Sequence, residues 1–223
     1  DLNNQYTFNV TAIASAGSYT NVNAVVLPST IKTINTNAFS NSQITTINIP
    51  AGTNDIKDGA FAQIENLTAI TVDAGNSKYT AEDGVLYETT SGNKYLKAYP
   101  VAKAGTTFTV PSGVYGVSTN GFQLAKNLTT INLPASIQDL PASPEANGFT
   151  SAKKLTAIKV DPANTNFKDE DGVVLTKDGK TLVAYPFARH GVANAAYNGP
   201  LATMHPGEVY SIPTSVETIG KGA

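Results

Sequence analysis

The sequence predicts a repeat solenoid, mainly β, in which short parallel strands and 3₁₀ or irregular turns wind into stacked coils with β-hairpins inserted. Three observations predict it. A unit of 22 to 23 residues recurs, with Pro, apolar and Phe positions at fixed offsets. An L-x-x-Φ-x-Φ segment (Φ apolar) leads into most copies. The composition is that of a β-rich chain, with 28 Thr and 21 Asn among 223 residues and only 14% charged.

Residues 1–23 do not fit the unit. Tyr6, Phe8 and Val10 alternate with polar residues as in a strand, so this segment reads as an N-terminal cap or a linker. Residues 24–223 carry the repeats. The first reads Val25-Val-Leu27-Pro28, Ile31, Ile34, Ala38-Phe39. The second is Ile47-Asn-Ile49-Pro50, Ile56, Ala60-Phe61, with Thr53 at an apolar position. The third is Phe108-Thr-Val110-Pro111, Val114, Val117, Gly121-Phe122. The fourth, Ile131-Asn-Leu133-Pro134, Ile137, Leu140, reaches Gly148-Phe149 after an insertion at Pro141 to Pro144. A fifth begins Tyr210-Ser-Ile212-Pro213, Val216, Ile219, and the pattern at Ala223 stands in mid-repeat.

Two copies carry longer tails. Ile70-Thr-Val72-Asp73 runs through Asn76, Tyr79 and Asp83-Gly84-Val85-Leu86 to Tyr99-Pro100. Ile158-Lys-Val160-Asp161 runs through Asn164, Phe167 and Asp171-Gly172-Val173-Val174 to Tyr185-Pro186. Turn signals at Ser91-Gly92-Asn93 and Asp178-Gly179 predict a β-hairpin in each. Residues 187–209, rich in Ala, Gly, Asn and Pro, read as a surface loop.

The unit has a physical logic. Alternation in Φ-x-Φ turns both apolar side chains to one face, and the following Pro ends the strand. Apolar residues three apart then suit one tight 3₁₀ or irregular turn. A coil buries about six apolar side chains, each worth roughly 1.5–3 kcal/mol. That gain is of the same order as the ordering cost, so a rung is stable only when stacked. Leu27, Ile49, Leu133 and Val160 are then expected in one column.

This pattern resembles the BspA-like subclass of leucine-rich repeats. The resemblance covers about residues 24–186 and 208–223, and the D-G-V-L-Y and L-x-x-Y-P tails resemble insertions in that family. It implies a right-handed coil, a parallel sheet on the concave side, and export to the cell surface or medium for adhesion or protein binding. Members often carry Cys after the Ala-Phe pair. Here Asn41, Gln63, Leu124 and Ser151 stand in that neighbourhood.

The alternation assigns outward positions to Thr46 and Asn48, Ala69 and Thr71, Thr107 and Thr109, Thr130 and Asn132, and Ala157 and Lys159. Thr46, Asn48, Thr71, Thr109, Thr130, Asn132 and Lys159 are the candidate ligand contacts, a small polar ladder able to hydrogen-bond a peptide or sugar. Tyr is favoured at interfaces. The tail tyrosines Tyr79, Tyr87, Tyr95, Tyr99 and Tyr185 read as core or cross-strand residues first, with Tyr87 and Tyr95 the best candidates for exposed aromatic contacts.

Chemistry is scarce. With no Cys there is no disulfide, thiolate metal site or Cys nucleophile. His190 and His205 lie in the poorly patterned loop, with no G-x-S-x-G elbow anywhere. The run Lys168-Asp169-Glu170-Asp171-Gly172 lacks the distal Glu of a calcium loop and reads as a solvated turn. No nucleotide or zinc motif occurs, so no catalytic residue, metal or cofactor is assigned. The net charge of −2 gives no reason to expect nucleic acid or an anionic membrane as partner, and no apolar run could span a bilayer. The sequence contains no basic-then-apolar signal peptide, and Asp1 reads as the start of a trimmed mature chain whose N-terminal address is missing. The expected function is non-catalytic binding of an extracellular protein or glycan. A spacer without a ligand is the alternative, and a hydrolase with a spatially assembled carboxylate pair a weaker one.

Overall fold

The computed structural model describes residues 10–15, 20–141, 148–149, 151–189 and 212–220. Its strands in order are β1 Ala12–Ile13, β2 Thr33–Ile34, β3 Thr46–Ile49, β4 Asp55–Ile56, β5 Ala69–Val72, β6 Tyr79–Glu82, β7 Val85–Thr90 and β8 Asn93–Ala98. They continue as β9 Thr107–Thr109, β10 Val114–Val117, β11 Thr130–Leu133, β12 Ala157–Val160, β13 Phe167–Glu170, β14 Val173–Thr176, β15 Thr181–Ala184 and β16 Thr218–Ile219. No helical segment occurs among the described residues.

Each rung contributes to two columns. In the first, the Φ-x-Φ segments pair in parallel: β3 with β5, and β9 with β11 with β12. Ile47 faces Ile70 and Ile49 faces Val72, while Ile131 faces Ile158 and Leu133 faces Val160. Leu133 and Val160 thus share the expected column, whereas Ile49 stands opposite Val72 in a separate sheet. Leu27 departs from the column: the 25–27 segment packs on the core without joining a sheet.

Every repeat proline opens the same turn. The amides of Ile31, Thr53, Val114, Ile137 and Val216 donate to the carbonyls of Pro28, Pro50, Pro111, Pro134 and Pro213. A Pro has no amide to give the ladder but keeps its carbonyl, so it ends the strand and anchors the turn that follows.

Beyond that turn the structure corrects the expected 3₁₀ segment. The residues form a second column of short parallel strands, β1–β2–β4, β8–β10 and β15–β16, with an isolated bridge from Gly116 to Asp139. A 3₁₀ turn bonds within itself. Here the amides of Asn54 and Asp55 reach the Lys32 carbonyl and that of Lys57 reaches Ile34, one rung away. Stacking supplies partners that a local helix would have made redundant.

The tails are larger than hairpins. Each is a three-stranded antiparallel meander, β6–β7–β8 and β13–β14–β15, whose last strand re-enters the second column. An asparagine starts each of them, half-buried at Asn76 and buried at Asn164. Asn76 Nδ2 donates to the carbonyls of Pro50 and Thr53, and its Oδ1 accepts from the amides of Lys78 and Tyr79. Asn164 repeats this with Pro134, Ile137, Asn166 and Phe167.

The interior falls into two groups. Ile31 to Ile70, with Tyr79 and Leu86, form one. Val85, Tyr87 and Leu96, with the rungs from Val110 to Ala184, form the other. The repeat phenylalanines are buried in file, and Phe122 stacks on Phe149 with centroids 5.6 Å apart. Thr53 fills its apolar position because its hydroxyl donates to the Ile31 carbonyl at 3.1 Å.

Candidate functional site

The first column carries the predicted polar ladder, but the meanders cut it in two. Thr46, Asn48 and Thr71 lie together on β3 and β5, while Thr109, Thr130, Asn132 and Lys159 lie on β9, β11 and β12. The break has a clear cause. The Asp83-Gly84 turn sits against β5, where Gly84 accepts from the Ile70 amide at 2.8 Å. Gly172 does the same for Ile158 at 2.9 Å. Lys103 holds the first turn by binding the Asp83 carbonyl and carboxylate, and Arg189 grips Asp171 in the same two ways.

Much of the ladder's hydrogen bonding is internal. Asn48 Nδ2 donates to Asp73 at 2.7 Å, and its Oδ1 accepts from the Thr71 hydroxyl at 2.8 Å. Asn132 Nδ2 donates to Thr109 Oγ1 at 3.0 Å. Lys159 pairs with Asp169 at 3.1 Å.

The acidic run is likewise satisfied by protein. Asp169 Oδ1 accepts from the Val160 amide at 2.7 Å, Glu170 pairs with Lys168 and Asp171 with Arg189. No group of three acidic or histidine side chains that could hold a metal occurs among the described residues. His190 and His205 lie outside those residues.

Of the two aromatic contacts expected, the structure overturns one. Tyr87 is only 1% exposed, with the Lys94 ammonium 4.4 Å from its ring centroid. Strand β7 is the middle of its meander and is buried at Val85, Leu86 and Tyr87 in succession. Burial holds the Tyr87 phenol well above its ordinary range.

Tyr95 is half-buried and stands edge-on to half-buried Tyr115, with centroids 5.6 Å apart and planes at 62°. Gly116 pairs with Tyr95 on one side and with Asp139 on the other. A Cβ at 116 would lie 2.8 Å from Tyr95 Cε1 and 2.9 Å from Asp139 Cβ, so ring and acid close over bare backbone. Burial and the Asp139 carboxylate raise the Tyr95 phenol. Sequence reading missed Tyr115 and Asp139. Their shared second-column position was the available signal, hidden while that segment was read as a tight turn.

A further charge cluster lies inside the first meander. Lys97, with a side chain 9% exposed, sits 2.6 Å from Asp58 and 3.1 Å from Glu88, which also meets Lys78 at 3.0 Å. Burial alone would lower the Lys97 ammonium, but the two carboxylates hold it above its ordinary value. Burial would raise Glu88, and Lys78 with Lys97 hold it below instead.

The fold and surface define a stacked β-rung protein with a segmented polar face and no helix among the described residues. The chain belongs to the BspA-type leucine-rich-repeat family, whose model matches six copies over residues 9–94 and 98–170. A solved leucine-rich cell surface protein from Faecalibacterium prausnitzii A2-165 is 32% identical over 57% of this chain and 34% of its own, with a TM-score of 0.52. A leucine-rich repeat protein from Eubacterium ventriosum ATCC 27560 is 24% identical, covering 73% of this chain and 52% of its own at a TM-score of 0.47. The pneumococcal vaccine antigen PcpA is 21% identical over 57% of this chain and 30% of its own at 0.49. The chain thus spans between 30% and 52% of the length of these solved proteins. None of the curated proteins compared with it matches.

Proposed function

We propose that the chain is a non-catalytic binding module, displayed on a cell surface or secreted, that presents its stacked rungs to an extracellular protein or glycan. The observation that carries this reading is the corner formed by half-buried Tyr95 and Tyr115 with exposed Asp139, since part-exposed aromatics with polar tips are what interfaces use as anchors. Surface display is supported by membership of the BspA-type family and by the cell-surface description of the Faecalibacterium relative. The paired state of the acids in the Asp169–Asp171 turn and in the Lys97 cluster supports a structural role for them.

A second reading, a spacer that displays other parts of a longer protein, is favoured by the self-satisfied ladder at Asn48, Thr71, Thr109 and Asn132. The experiment is an array of extracellular matrix proteins and glycans probed with the purified chain. A saturable ligand supports the binding module. Blank panels of both kinds leave the spacer.

A further inference from the structure

Three neighbouring segments, β8, β10 and the strand-like piece at Asp139, bring two tyrosines and a carboxylate to one outward corner. We infer that this corner docks a cationic side chain, arginine or lysine, of a partner protein, an assignment that rests on the binding-module reading and narrows it. The ring planes of Tyr95 and Tyr115 meet at 62°, which makes two walls rather than one flat platform. Stacking a sugar calls for a single open aromatic face. Two steep walls suit a compact charge, since the negative faces of the rings attract a cation within about 6 Å of their centroids.

The carboxylate completes the corner. In and beside the neighbouring meander, the acids of Glu82, Glu88, Asp58 and Asp83 are neutralised by the chain itself. Glu82 pairs with Lys94, Glu88 with Lys78 and Lys97, Asp58 with Lys97, and Asp83 with Lys103. Exposed Asp139 pairs with no lysine or arginine of the described residues; its carboxylate accepts from the Tyr95 hydroxyl, and it faces that ring across Gly116. Lys94, the register partner of Val114 in β8, is engaged by Glu82 and by the Tyr87 ring. The corner therefore offers aromatic faces and a negative charge, and the missing member of the set is a positive one.

The test titrates the whole chain with a blocked peptide, Gly-Arg-Gly-Arg-Gly-Arg. Its uncharged analogue with citrulline for arginine, and chitotriose, are the comparators, and the ring resonances of Tyr95 and Tyr115 are followed by NMR. The arginine peptide is expected to shift both rings saturably, while the citrulline peptide and the sugar leave them unmoved. Asp139→Asn and, separately, Tyr115→Ala should each weaken that binding by about two- to fivefold. Asp139→Asn should keep the parent's urea midpoint, and Tyr115→Ala, which loses its ring contact, should keep the parent's far-UV circular dichroism at the titration temperature, so that weaker binding is not unfolding. Equal shifts with citrulline, shifts with chitotriose instead, no shift at all, or unchanged affinity in Asp139→Asn would each overturn the assignment. Array ligands that bind Asp139→Asn as well as the parent sink the subsite and leave the binding module standing. A blank array sinks the module itself.

Discussion

At the scale of the residue, the interior tolerates little loss. Phe122 is wholly buried, stacked on Phe149 and flanked by Tyr99 and Phe108 at centroid distances of 5.4 and 6.0 Å. Phe122→Ala should cost about 3–5 kcal/mol in urea unfolding. A loss below about 1 kcal/mol would show that the aromatic file is not the core it is drawn as. The buried phenols make stability depend on alkaline pH. Burial pushes Tyr79 up to about 12, outweighing the Ile56 amide that donates to its oxygen, and pushes Tyr99 up to about 12 as well. Unfolded tyrosine titrates near 10, so the folded state holds these protons more tightly. Their contribution is whole below pH 10 and is lost as pH rises through 12, at about 1.4 kcal/mol per pH unit for each phenol. Urea midpoints taken from pH 9 to pH 11.5 should fall accordingly, and Tyr79→Phe should shallow the slope. An unchanged slope in that variant would mean its phenol is already solvated.

At the scale of the element, the Asp-Gly turns decide where the first column stops. Gly84 and Gly172 adopt φ of +76° and +82° after Asp83 and Asp171 at +48° and +51°, a left-handed pair suited to a two-residue hairpin turn. A Cβ on Gly172 would meet the Cβ of Ala157 at 2.8 Å, and one on Gly84 the Cβ of Ala69 at 3.0 Å. The partner must therefore be small. The chain writes this down: Leu67-Thr-Ala69-Ile70 and Leu155-Thr-Ala157-Ile158 precede meanders, whereas Ile44-Thr-Thr46-Ile47 and Leu128-Thr-Thr130-Ile131 do not. Ala157→Thr should destabilise by about 1–3 kcal/mol through overpacking against the turn. Thr130→Ala, in register with it on β11, should change stability by about 0.5 kcal/mol or less. Equal effects in denaturant titrations would remove the turn as the cause.

The same elements show what was legible. Pro and Phe spacing gave the rungs, because a strand end and a buried ring each impose a local requirement. The split ladder was not legible from alternation, which reports the face of a residue and not its neighbour across the sheet. Tyr87 was misread for a related reason. The run Val85-Leu86-Tyr87 is continuous rather than alternating, the mark of a strand covered on both faces. Tyr115 and Asp139 emerge only when rungs are placed side by side.

At the scale of the whole molecule, one strand joins two interiors. On β7, Leu86 belongs to the first core group with Ile47, Ile70 and Tyr79, whereas Val85 and Tyr87 belong to the second with Val117, Phe122 and Ile131. In a stack, stability is a sum of rung and nearest-neighbour terms, so a core lesion is felt first by the rungs it touches. Adjacent residues of β7 should therefore unfold different parts of the chain. Leu86→Ala should lower the opening free energy of amides in β3 and β5 by about 2–4 kcal/mol, and β11 and β12 should be less affected. Tyr87→Ala should do the reverse, weakening β10, β11 and β12 more than β3 and β5. Native-state hydrogen exchange resolves the two sets. Equal loss everywhere from both substitutions would make the stack a single cooperative unit. A reversed pattern would mean that β7 faces the other way, and the division of the interior at the first meander would fall with it.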